Sequence, residues 1–271
     1  LRKFRLLDTM TPVNCPIGLG LILFAPLAPG RFMETAVYYT SNSSNSSGAL
    51  GCLFFIGCVV FVAVVAGLTA YAARRRSEKV GAAATAFGYS FRRLPTEADQ
   101  ALITGSTLAT AGRNRVVSDI IEVVRTEELQ MTLFDYSYTI GSGKSRREIY
   151  QTITRMQSPL IQLPSFILFQ ETILSKLGKL FGGTDINFPD APAFSSKYVL
   201  RGADETAIRA LFSPTVMQFL EQQEHLTIEV AGDLMFTYRA YHRPKPEQLE
   251  SFIAEGKQIL ALFFEAQQGA P

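Results

Sequence analysis

The chain has no tryptophan, two histidines and three cysteines in 271 residues. Each shortage excludes something. Cys15, Cys52 and Cys58 all lie in apolar stretches before residue 76. The remainder therefore cannot be a disulfide framework, which fits a reducing compartment. In an apolar helix, cysteine is a small packing residue. No small-residue lipobox precedes Cys15, so no lipoprotein signal is read there. His225 and His242 have no cysteine near them and no ligand spacing, so a metal site is not expected. A serine triad needs a histidine held by an acid, and neither histidine has such a setting. His225 precedes an expected strand and His242 ends one, which places both at the surface.

Charge is missing where it would matter for nucleic acid. The first 76 residues hold seven of the 26 Lys and Arg and two of the 24 acids. The rest therefore holds 19 basic and 22 acidic residues, about −3. A nucleic-acid binder needs a basic footprint to neutralise phosphates, and this part has none overall.

Charge is also absent from two long runs, Thr9 to Gly30 and Thr35 to Ala73. Within the second, Ala49–Ala73 offers 25 uncharged residues, against about 20 needed to cross a bilayer core. Tyr71 and then Arg74, Arg75 and Arg76 end it as interfacial anchors do. Residues 9–30 form a weaker span, because Pro12, Pro16, Pro26 and Pro29 interrupt it. A cleaved signal peptide fits poorly with Pro26 and Pro29 at the cleavage position; a kinked or re-entrant segment is the other alternative. One or two transmembrane helices are thus expected in residues 1–76. Arg2, Lys3 and Arg5 precede the first run, and the three arginines follow the second. If both runs cross, the positive-inside rule puts both ends in the cytoplasm. The "SNSSNSSG" loop matches a glycosylation acceptor, but a plain polar turn is the preferred reading.

Gly-Ser-Gly-Lys-Ser at 141–145 invites a nucleotide-loop reading. The P-loop pattern needs a glycine five residues before Gly143, and Tyr138 stands there. The following "REIYQTITRM" is rich in Ile, Tyr and Thr, which suits a strand rather than a phosphate-binding helix. Before it, Phe134, Tyr136, Tyr138 and Ile140 alternate with Asp135, Ser137 and Thr139, a period of two. The segment therefore reads as a β-hairpin turn, without nucleotide, whose tip carries Lys144, Arg146 and Arg147. Those three are candidate contacts for lipid headgroups or an acidic partner; a solvated tip is the plainer alternative.

Elsewhere, Ser77–Pro95 begins as an alanine-rich helix ended by Gly88. Asp119–Thr126, Leu129–Ile140, Leu163–Glu171 and "KYVLRG" read as strands. Thr172–Gly183 reads as a short amphipathic helix stopped by Gly182 and Gly183. Asp204 caps a helix, and Ser213-Pro214 starts another. "LTIEVAGDLMFTYRAY" forms a second hairpin turned at Gly232-Asp233. The last helix starts at Pro246, with Leu249, Phe252, Ile253, Leu260 and Phe263 on one face. The expected fold class is α+β: a mainly antiparallel sheet with several packed helices over residues 77–271.

The run "FDYSYTIGSGKS", then "LPSFILFQE", "FGGTDINF", "FSSKYVLRGADE" and "LMFTYRA", resembles a family of uncharacterised bacterial, including cyanobacterial, membrane-anchored proteins. The resemblance covers roughly Gly81 to Phe263. It implies a layout, an anchor followed by a cytoplasmic domain at a bacterial inner or thylakoid-type membrane, and no catalytic residues.

Two carboxylates could form an acid–base pair, Asp135 in the marker run and Asp185 in "GTDINF". The alternative is that Asp135 pairs across strands with an Arg or Thr, and that Asp185 caps a turn. No catalytic, cofactor or metal residue is assigned. The expected role is a non-catalytic, membrane-anchored accessory subunit docking on a larger membrane complex. A membrane-tethered sensor or small-ligand module is the alternative, and a hydrolase using Asp135 or Asp185 is a third.

Overall fold

Eight antiparallel strands carry the fold, in the spatial order Ser90–Arg92, Arg113–Arg125, Gln130–Ile140, Arg147–Gln157, Leu234–Arg239, Leu226–Gly232, Leu163–Gln170 and Tyr198–Gly202. The structure, a computed structural model, describes residues 25–26, 32–33, 47–170 and 185–269, with side chains from residue 54. The chain divides into two compact units, Leu1–Ala73 and Arg74–Pro271.

In the first unit, β1 (Ala25–Pro26) and β2 (Phe32–Met33) form a short antiparallel pair. The rest of the weaker span, residues 9–30, lies outside the described residues. Helix α1 is Ser47–Ala86, so the apolar run and the alanine-rich stretch expected from residue 77 form one element. No proline interrupts it, and Arg74–Arg76 and Ala82–Ala84 are good helix formers. Among the described residues it is the one helix long and apolar enough to cross a membrane. Phe54, Phe61 and Leu68 are exposed along it, so no core among the described residues buries them. Gly88, at φ +80°, ends the helix. Gly88 N–H donates to Thr85 and Tyr89 N–H to Ala84, a Schellman closure.

The second unit is α+β. β3 (Ser90–Arg92) pairs with β4 (Arg113–Arg125), and β4 with β5 (Gln130–Ile140) through three irregular steps. β5 and β6 (Arg147–Gln157) run in unbroken register from Gln130↔Gln157 to Ile140↔Arg147. The Gly-Ser-Gly-Lys segment between them is a hairpin turn, with a single 3-10 turn at Gly143–Ser145. β7 (Leu163–Gln170) and β8 (Tyr198–Gly202) form the far edge, and β9 (Leu226–Gly232) and β10 (Leu234–Arg239) the second hairpin. The helix expected at 172–183 lies outside the described residues.

Helices α2 (Pro192–Lys197), α3 (Glu205–Leu211), α4 (Pro214–Glu221) and α5 (Leu249–Gly269) pack with the end of α1 on one sheet face. Their caps are local: Asp204 accepts from Ala207 N–H, and Ser213 from Val216 N–H. Phe166, Phe194, Phe212 and Phe263 meet at this core. Each such ring contributes about 1.5–3 kcal/mol on burial. The other face is covered by two 3-10 turns, Ala98–Ile103 and Thr107–Ala109, whose Ile103 and Leu108 pack on Phe134, Tyr136, Tyr138 and Tyr238. β5 is thus buried on both faces, and its period of two sorts residues between two cores.

Candidate functional site

Asp135 points to the helix-bearing face. It is buried, and both its oxygens are engaged. Thr152, its cross-strand partner, donates to Oδ1 at 2.6 Å. Arg76 donates to Oδ2 at 2.6 Å, and Arg243 Nε lies 3.3 Å from the same oxygen. Arg76 also reaches Asp119 at 3.7 Å and the Pro244 carbonyl at 3.4 Å. The Ser77 hydroxyl donates to Asp119. Asp119 sits at φ +49°, in an irregular step of β4 that aims it at the start of this helical segment. Burial pushes its carboxyl above the usual range, while the Ser77 hydroxyl opposes the shift and the Asp135 charge adds to it.

Two close carboxylates with one raised pKa are the usual elements of an acid–base pair. Here two guanidinium groups sit on them, and both oxygens of the buried Asp135 already carry a donor. The arrangement can hold the Arg76–Ser77 turn of the helix against the sheet. Asp185 takes no part. It forms an edge bridge with Arg201 and bonds that residue's Nε at 2.6 Å, rather than capping a turn. Asp185 lies one position beyond β8, six strand spacings from Asp135, roughly 29 Å at about 4.8 Å per strand. These two carboxylates cannot act on one substrate.

The three arginines expected as one interfacial group divide. Arg74 pairs with Glu78 on the helix surface, and Arg75 is exposed. Arg76 is half-buried against Asp135. Tyr71 is exposed. Lys144, Arg146 and Arg147 lie exposed at the hairpin tip. Gly141 at φ +71° makes the turn, and a Cβ there would run into the Ser145 carbonyl. His225 and His242 are both exposed, at the two ends of the β9–β10 hairpin. No group of three or more His, Cys, Asp or Glu able to hold a metal occurs among the described residues.

One buried polar cluster escapes sequence reading. Glu229 lies on the opposite face, where the Tyr238 hydroxyl donates to it at 2.6 Å and the Thr107 hydroxyl and N–H at 2.7 Å each. Burial raises its carboxyl pKa, and those three donors oppose the rise. Burial likewise raises the Tyr238 hydroxyl, and the neighbouring Glu229 charge adds to it. The Tyr136 hydroxyl donates to the Leu108 carbonyl, which with Thr107 ties the 3-10 segment to the sheet. Nearby on this face, the Tyr138 hydroxyl and the Gln151 amide are buried without a hydrogen-bond partner among the described residues. The one sequence signal was a lone acid at the centre of "LTIEVAG", at a position otherwise suited to a core residue.

No family model matches the chain, and no curated protein matches it. Among solved structures, it is similar to the mycobacterial trehalose monomycolate transport factor A, TtfA. The likeness has a TM-score of 0.47 and 9% identity, and covers 73% of this chain and 97% of that one. A likeness at that level assigns neither a family nor an activity to this chain.

Proposed function

We propose that the protein is a non-catalytic, membrane-anchored accessory subunit whose α+β domain docks on a larger membrane protein complex. The observation that carries this reading is helix α1. Its apolar half is long enough to cross a bilayer and is covered by nothing in the described chain. The same helix continues to Ala86, with Val80 and Ala84 in the core of the domain. Asp135, the one carboxylate of the marker run, is taken by Arg76 and Arg243. By the positive-inside rule, Arg74 and Arg75 support a cytoplasmic side for the domain, at a bacterial inner or thylakoid-type membrane. The family resemblance makes photosynthetic or respiratory assemblies the first complexes to examine.

A stable contact of this kind buries about 1,200–2,000 Å² in total. The test is purification of the full chain from native membranes in mild detergent. It should migrate far above its own mass and bring a stoichiometric membrane subunit with it. A clean monomer with no such subunit overturns the docking reading. That result would favour a ligand-binding module, for which the unpartnered Tyr138 hydroxyl and Gln151 amide would be the first place to look.

A further inference from the structure

The register that joins β4, β5 and β6 gathers five exposed cations at one end of the sheet. Arg113 of β4 faces Thr139 of β5, and the next residue of β5, Ile140, faces Arg147 of β6. Arg113 and Arg147 therefore flank the end of β5 two strand spacings apart, about 10 Å. Arg115 lies two residues along β4, and Lys144 and Arg146 occupy the turn. All five are exposed, and none forms an ion pair among the described residues. Elsewhere in the domain the arginines largely find acids: Arg92 holds two, and Arg201, Arg209 and Arg239 hold one each. Across residues 110–116 and 139–148 the only acid is Glu148. The domain as a whole carries 19 basic and 22 acidic residues beyond residue 76. This sheet end thus reverses the sign of the domain that bears it.

We propose that this end of the sheet binds the anionic headgroups of a lipid surface. The proposal rests on the anchored reading above. A chain held in a bilayer by α1 always has lipid phosphates within reach of its domain, whatever other partner is present. Guanidinium groups suit phosphate because their planar forks donate two parallel hydrogen bonds to its oxygens. Each Lys or Arg near an anionic surface multiplies the population of the bound state about fivefold. Several unpaired cations acting together therefore favour contact strongly, and salt weakens it by screening.

The test uses the full chain in nanodiscs of phosphatidylcholine alone, or of phosphatidylcholine mixed with phosphatidylglycerol. A single donor dye is placed by Thr110→Cys in a Cys15→Ala, Cys52→Ala, Cys58→Ala background. Energy transfer to a headgroup-bound acceptor is then read. Transfer should rise in the mixed bilayer and fall back when salt is added. It should also fall in the variant Arg113→Glu, Arg115→Glu, Arg146→Glu, Arg147→Glu. If that variant melts early, the comparison of the two bilayers with native cations decides alone. Equal transfer in both bilayers at low salt overturns the proposal. If, in addition, the charge-reversed chain loses its co-purifying subunit in native membranes, the cations serve an acidic protein surface instead. The lipid proposal then falls while the docking reading stands. A lipid-dependent rise with a monomeric chain gives the reverse outcome.

Discussion

At Asp135 a residue that looks catalytic in a list of acids turns out to hold an element in place. Asp135→Ala would leave Arg243 without its counter-charge, Arg76 with only the longer Asp119 ion pair at 3.7 Å, and Thr152 without its acceptor. Removing one member of a buried ion pair costs more than the pair contributes, because the other member stays desolvated. Both arginines keep just over a quarter of their side-chain surface in water. A loss of about 2–4 kcal/mol is therefore expected, at or below the range for fully buried pairs. Asp135→Asn retains a Thr152 acceptor and should lose less. Thermal melting of the detergent-solubilised chain checks both, and equal melting of wild type and Asp135→Ala would refute the clamp. Asp99 makes a pH-dependent counterpart. Arg92 bonds it at 2.6 and 2.9 Å, and with the Thr96 donors holds its carboxyl down to about 2. A depressed carboxyl stabilises the fold above its unfolded value of about 4 and loses that contribution as pH falls towards 2. Arg92→Gln should move acid unfolding to higher pH. Glu229 and Asp119 act in the opposite sense: their raised values favour the folded state as they take up protons on acidification. The acid limb should therefore be shallower than Asp99 alone would make it, as an acid titration followed by circular dichroism would show.

Elements were legible where one face met one environment. β5, β6 and β7 follow from β-branched and aromatic residues at alternate positions, and the caps at Asp204 and Ser213 from local hydrogen bonds. The continuity of α1 was not legible. Charged Arg74–Arg76 looked like the end of one element, yet nothing in Ala73–Ser77 breaks a helix, and one helix results. The irregular steps in β4 were also hidden, because they depend on the partner strand. They bring Asp119 beside Ser77 and set Arg113 at the hairpin end. The hairpin itself supports a sharp test. Lys144 has no partner among the described residues, so Lys144→Ala should leave melting unchanged and bind ATP and GTP no differently from wild type. Gly141→Ala should lower stability by about 1 kcal/mol or more, since it combines a positive φ with a close approach to the Ser145 carbonyl. Micromolar nucleotide binding that disappears with Lys144→Ala would restore the P-loop reading.

For the whole molecule, the division at Ala73 and Arg74 suggests where the chain can be cut. A fragment beginning at Arg74 keeps Arg76, Ser77, Val80 and Ala84, and with them the ion cluster and the helix side of the core. It should be soluble and melt cooperatively, while the full chain should resist carbonate extraction from membranes. A fragment beginning at Gly81 loses Arg76 and Ser77 and should melt earlier by several degrees, in line with the Asp135 substitution. Insoluble Arg74–Pro271 together with a carbonate-extractable full chain would reject the anchor.

Composition and short-range pattern were enough to decide the apolar span, the absence of a disulfide framework, the strand-turn-strand at Gly141–Lys144 and the α+β class. Each depends on residues a few positions apart, whose chemistry acts wherever the chain goes. The roles of individual charged residues were decided only by the tertiary pairing. Arg76 and Asp135 are 59 residues apart and Thr107 and Glu229 are 122 apart. Arg113 reaches the Lys144 turn only through its register with Thr139. Ion pairs and buried hydrogen bonds act over a few ångströms, so whether a charge is spent or free depends on which strands become neighbours, and that is settled when the sheet assembles.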